Sequence, residues 1–106
     1  MDAYVRLSYK VSRELPKDEL YGIVSQLRRS ALSVILNYIE GYARKKKAVK
    51  QNFWEISYGS LKESKYLLYF AFTEKLFANE HLYKQALLLA DEIGAMLWSC
   101  LESLED

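Results

Sequence analysis

Between residues 20 and 38 the apolar side chains Leu20, Val24, Leu27, Ala31, Val34 and Tyr38 recur at steps of four and three. That spacing puts all of them on one face of an α-helix and on alternating faces of a strand. The same steps return in Leu82, Ala86, Leu89, Ile93, Met96 and Cys100. The chain has one proline, Pro16, and four glycines, too few for the many turns of a β-sandwich. With 51% of residues apolar and 14% aromatic, disorder is also excluded. The sequence therefore reads as all-α.

Four helices can be placed. The first spans residues 3–14, with Tyr4, Leu7, Val11 and Leu15 on one face, and Pro16 stops it. Asp18 and Glu19 stand in the first turn of the second, where the helix dipole favours carboxylates. Gly41 and the stretch Arg44-Lys45-Lys46-Lys47 mark a hairpin, because cations suit a helix C-terminus. Every residue from 42 to 49 is nevertheless tolerated in a helix, so a fused rod of helices two and three is the alternative. The third helix is expected over residues 48–77. Asn79 is expected to cap the fourth. Three short links between four helices read as an antiparallel up-down-up-down four-helix bundle, one domain over residues 1–106.

The helices carry more apolar surface than one bundle needs. Tyr21, Leu32, Leu36 and Ile39 lie roughly 100–160° around helix two from its core stripe. Tyr83, Leu87, Ala90, Leu97, Leu101 and Leu104 form a second stripe on helix four, and Tyr66, Leu67, Leu68, Tyr69, Phe70 and Phe72 surround helix three. Either a thick core swallows these stripes or they join copies in a homo-oligomer, as large apolar patches on soluble proteins do. Helix two also has a polar line, Gln26, Ser30, Ser33, Asn37 and Glu40, with Arg29 at its edge. Arg29, Asn37 and Glu40 are read as a structural network at a buried or subunit surface, with a ligand site as the other reading. Ser57, Gly59, Ser60 and Ser64 are read as small residues that let helices approach closely.

Charge is polarised. Residues 1–53 carry eleven Lys or Arg against five Asp or Glu, a surplus of six, and residues 54–106 carry four against nine. The densest positive stretch, Arg44, Lys45, Lys46, Lys47 and Lys50, has Tyr42 and Trp54 nearby as aromatic surfaces on which bases can stack. These residues are the candidate nucleic-acid contact; the competing reading is a solvated loop ending a helix. No catalytic constellation appears. His81 is the only histidine and is read as a solvated first-turn residue. With Cys100 it makes neither a zinc ligand set nor a dyad, since about 28 Å of helix would separate them. No glycine-rich phosphate loop occurs. Neither metal nor cofactor is expected, nor enzymatic activity. No apolar run approaches the ~20 residues that span a membrane. The N-terminal residues lack a signal-peptide pattern, and a single cysteine suits a reducing compartment. The expected location is the cytoplasm.

Leu27-Arg28-Arg29-Ser30-Ala31 followed by Asn37-Tyr38-Ile39-Glu40-Gly41-Tyr42 resembles the signature of the 23S rRNA intervening-sequence proteins, a family of four-helix bundles. Gly59-Ser60-Leu61-Lys62-Glu63 and Glu92-Ile93-Gly94-Ala95-Met96-Leu97 are similar to that family's later motifs. Where the family pattern has a proline before the asparagine this chain has Ile35. Where it has a glycine after Gly-Tyr and a serine cap it has Ala43 and Lys46. The resemblance implies a bacterial, non-enzymatic protein that forms ring-like homopentamers. Through the related accessory proteins of diversity-generating retroelements, it implies nucleic acid and a reverse transcriptase as partners. A structural or protein-interaction scaffold without nucleic-acid binding is the alternative function.

Overall fold

The computed structural model describes residues 1–105, and Asp106 lies outside them. Four α-helices account for most of the chain: α1 (Asp2–Glu14), α2 (Ser25–Tyr42), α3 (Lys47–Thr73) and α4 (Glu80–Glu102). Among the described residues there is no strand. α1 packs on α2 and α4, α2 on α3, and α3 on α4, so the four helices form a bundle around one core.

α1 stops where the proline requires. Leu15, which precedes Pro16, is extended at φ −76°, ψ 152°, the conformation a following proline imposes. The chain then enters α2 through a tight 3-10 turn (Lys17–Glu19) and a wide π turn (Leu20–Val24). Gly22 in that turn has non-helical angles, φ −106° and ψ −108°. The turn shifts the helical phase. Leu20, expected in the core, is exposed, and Ile23 is buried in its place. Beyond it α2 is one uninterrupted helix through Ile35, and Val24, which ends the turn, is buried with Leu27, Ala31 and Val34 as their spacing requires.

α2 and α3 are separate helices, which overturns the fused rod. The helix ends with the Ala43 and Arg44 amides bonded to the Ile39 and Gly41 carbonyls, and Lys46 is extended at φ −77°, ψ 131°. α3 ends at Thr73, four residues before the expected Phe77. Its end is a Schellman cap. Lys75 takes a left-handed φ of 60°, its amide bonds the Phe72 carbonyl at 3.0 Å, and the Leu76 amide bonds the Ala71 carbonyl at 2.8 Å. The reversal turns Phe77 back into the core, edge-on to Phe72 at 5.5 Å. A side chain at a left-handed position is strained, so Lys75→Gly should raise stability by about 0.5–1 kcal/mol after glycine's extra unfolded-state entropy is subtracted. Thermal melting would check it, and an unchanged or lower Tm would count against strain there. Asn79 caps α4 as expected, its Oδ1 accepting from the Leu82 amide at 3.0 Å.

The core joins Tyr4, Val11 and Leu15 to the α2 stripe, to Leu61, Leu68 and Ala71 of α3, and to Leu82, Ala86, Ala90, Ile93 and Leu97 of α4. On α4 the buried line runs between the two stripes expected from sequence, taking Ala90 and Leu97 from the second and leaving Met96 exposed. On α2 the second stripe stays outside: Leu32, Leu36 and Ile39 are exposed and Tyr21 is 95% so. Tyr66, Tyr69 and Phe70 of α3 are also exposed, the Tyr66 ring lying 6.2 Å from Tyr69 and 6.4 Å from Phe70.

Serine hydroxyls stitch the helices together. Ser57 Oγ donates to the Val34 carbonyl at 2.6 Å, Ser33 and Ser60 meet at 2.7 Å, and Ser64 meets the buried Tyr4 hydroxyl at 2.7 Å. Gly59 is not part of this: a Cβ there would meet nothing within 4 Å. No helix among the described residues is long and apolar enough to cross a membrane.

Candidate nucleic-acid interface

The α2–α3 hairpin is built around an aromatic stack. Trp54 lies against Tyr38 with centroids 6.0 Å apart, and Tyr38 in turn faces Tyr42 at 6.2 Å. The indole Nε1 donates to the Tyr38 carbonyl at 3.1 Å. Trp54 is 7% exposed and sits directly on Gly41. It was expected to stack on bases, but burial and its own hydrogen bond make it a packing residue. Burial raises the Tyr38 phenol above its ordinary pKa, with smaller contributions from Cys100 and Tyr42.

The basic residues divide by what holds them. Lys50 Nζ donates to the Gly41 carbonyl at 3.2 Å and the Tyr42 carbonyl at 3.1 Å, satisfying the carbonyl end of α2. It lies 5.4 Å from the Trp54 ring and 5.6 Å from the Tyr42 ring. Lys50 is thus a helix cap before it is a rim charge. Arg44 donates to Glu40 at 2.6 Å and lies over Phe53 at 5.2 Å. The side chains of Lys45 and Lys46 are exposed and bond to no described residue. Lys47, the first residue of α3, is exposed beside them, and Tyr42 is 70% exposed.

The polar line on α2 splits in the same way. Asn37 Nδ2 donates to the Ser33 carbonyl at 2.9 Å and to Ser33 Oγ at 2.8 Å, and Ser33 continues to Ser60. That chain is the network within the subunit. Arg29 and Glu40 are outside it: Arg29 reaches only Ser25 Oγ at 3.3 Å, and Glu40 pairs with Arg44. Both are exposed, whereas Ser30 is buried and Ser33 and Asn37 are half-buried. His81 is exposed in the first turn of α4, as expected. Sequence reasoning missed the tie from Lys50 to the end of α2 and the stack of Tyr38 on Trp54. Both cross a hairpin whose closure the helical spacing alone does not specify.

The family model of the 23S rRNA-intervening sequence proteins matches residues 2–99. The chain belongs to that family. No curated protein matches the chain. The part of this intervening-sequence protein that carries the family resemblance, Asn37 to Tyr42, is the hairpin knot itself. Asn37 ties to Ser33, the Tyr38 carbonyl receives the indole, Glu40 holds Arg44, and Gly41 lies under Trp54. Gly94, in the later motif, leaves Leu61 at ordinary contact distance, 3.5 Å from where its Cβ would be.

Proposed function

We propose that this intervening-sequence protein is a non-enzymatic, homo-oligomeric helical bundle that binds structured RNA through the tip of the α2–α3 hairpin. The observation that carries the reading is the pair Lys45 and Lys46, exposed and without a carboxylate partner among the described residues, beside the exposed Tyr42 ring. Lys47 extends the rim. Family membership supplies the RNA context. A ribonucleoprotein partner of reverse-transcriptase type fits the same surface.

The bundle runs up-down-up-down. Supporting this, the ties Ser33–Ser60, Val34–Ser57, Tyr38–Trp54 and Gly41–Lys50 descend α3 as they ascend α2. The links at 43–46 and 74–79 are too short for a crossover. Oligomerisation is supported by the exposed line Leu32, Leu36 and Ile39, and the pentamer is the state we propose. Five hairpins on one rim multiply the positive charge, and phosphate affinity grows with the charges engaged. The absence of enzymatic activity is supported by α4, whose continuous course holds His81 and Cys100 about 28 Å apart.

Fluorescence anisotropy on a structured RNA tests the reading. The parent should bind at low salt, with log affinity falling by about 0.7–0.9 per phosphate for each tenfold rise in salt. Lys45→Glu with Lys46→Glu should abolish binding without unfolding, because exposed charges contribute little to stability. Light scattering should give several times the 12.4 kDa chain mass. Equal affinity of parent and variant would move the function to a protein scaffold, for which Tyr66, Tyr69 and Phe70 offer an exposed apolar surface.

A further inference from the structure

The hairpin accounts for five of the eleven basic residues in the first half of the chain. Arg6, Arg13, Arg28 and Arg29 lie instead on α1 and α2. Between these helices runs a groove of about 390 Å³, lined by Val5, Arg6, Tyr9, Arg13 and Leu32, with Asp2 at its end.

Arg28 does not line this groove but is held beside it, against its lining residue Tyr9. It is half-buried, and its guanidinium lies over the Tyr9 ring at 5.3 Å. Its Nε donates to Ser12 Oγ at 2.8 Å, and the buried Ser12 hydroxyl donates to the Tyr9 carbonyl at 2.6 Å. These contacts fix the guanidinium while using one of its five N–H donors. Its two terminal amino groups bond to no described residue. No carboxylate among the described residues pairs with Arg13, Arg28 or Arg29. Asp2, the one acid in the groove lining, is held by Arg6 at 2.9 Å. A partly desolvated cation positioned without a counter-charge calls for an anion, and the open edge of a guanidinium matches phosphate oxygens in pairs.

We propose that the α1–α2 groove binds a phosphate group of an RNA backbone, with Arg28 as the fork and Arg13 as the flanking cation. This rests on the RNA reading above and adds a second contact of different chemistry. Arg28 and Tyr42, at the hairpin end of α2, are about 21 Å apart along the helix. One polymeric anion reaches both clusters, whereas a short acidic segment fills only one, which favours RNA over an acidic peptide.

Anisotropy with the structured RNA used for the rim variant tests the site, using Arg13→Gln and Arg28→Lys in the full chain. Arg13 has no hydrogen-bond or ion-pair partner among the described residues, so its loss leaves the fold intact. Arg13→Gln should weaken binding roughly 3- to 10-fold at low salt and lower the salt slope by about 0.7–0.9. Arg28→Lys keeps the charge and removes the fork, so it should weaken binding with the slope unchanged. If both variants match the parent while the rim variant loses RNA, the groove is not a phosphate site and the rim reading stands. If RNA affinity is unchanged but light scattering shows a lower mass, the groove is a protein interface and the proposal falls. If the parent binds no RNA at low salt, both readings fall.

Discussion

Replacing Gly41 by alanine should destabilise the protein by about 2–4 kcal/mol, although the same change inside an ordinary helix stabilises by about 1 kcal/mol. The sign reverses because of Trp54. A Cβ on residue 41 would lie 2.5 Å from both Cδ1 and Nε1 of the indole and 3.2 Å from Cγ. The indole cannot simply move aside, since it is buried, stacked on Tyr38 and bonded to the Tyr38 carbonyl. Overpacking costs about 1–3 kcal/mol, and a buried N–H that loses its acceptor costs a similar amount. Urea unfolding should show a lower midpoint at constant m. In a Trp54→Phe background the alanine should cost at least about 1 kcal/mol less, which a double-mutant cycle measures. A Gly41→Ala protein as stable as its parent would mean that the two helices separate freely at the hairpin.

Between pH 10 and 12 the protein should lose about 2–3 kcal/mol of stability through one residue, Tyr4. Burial pushes the Tyr4 phenol up to about 12 from an ordinary value of 10, partly offset by its hydrogen bond with Ser64. The folded state therefore keeps a proton that the unfolded chain gives up. Its contribution is complete below pH 10 and is lost as pH rises through 12. Tyr38 and Tyr83 are also raised by burial, so other residues add to the slope. The measurement is accordingly a difference: urea midpoints from pH 8 to 12, parent minus Tyr4→Phe. Tyr4→Phe should flatten the curve above pH 10 and cost about 1 kcal/mol at neutral pH, since Ser64 still bonds the Leu61 carbonyl. Parallel curves would assign the alkaline loss elsewhere.

Much of the bundle was legible because its signals are local. Pro16, the basic stretch after Tyr42 and the Asn79 cap each act on the turn that contains them, and each ends or begins a helix as read. What escaped depends on partners far away in sequence. Lys75 adopts a left-handed angle that its side chain disfavours because the reversal returns Phe77 to Phe72 and the core. The buried line on α4 is centred about 40° around the helix from the stripe that spacing by fours and threes picks out, which is enough to bury Ala90 and leave Leu89 half-buried. Packing against α1 and α3 chooses between them. The candidate site suffered most. Trp54 and Lys50 look like ligand groups by residue type, and only the approach of α2 to α3 turns one into core and the other into a cap. Arg28 was passed over because its isolation from carboxylates is a fact of three dimensions.

The cyclic order of the helices also sets an order of assembly. Three of the packing seams, α1 on α2, α2 on α3 and α3 on α4, join segments adjacent along the chain. Closing each needs only a short loop, and loop-closure entropy rises with the logarithm of length. The fourth seam, α1 on α4, must enclose nearly the whole polypeptide, and the Tyr4–Ser64 bond that ties α1 to α3 spans sixty residues. Local contacts of this kind give fast folding. The entropy ranking has the three sequence-adjacent seams forming first and the long-range contacts of α1 closing last, so that the Tyr4 hydroxyl, bonded to Ser64, is sealed from water only at the final step.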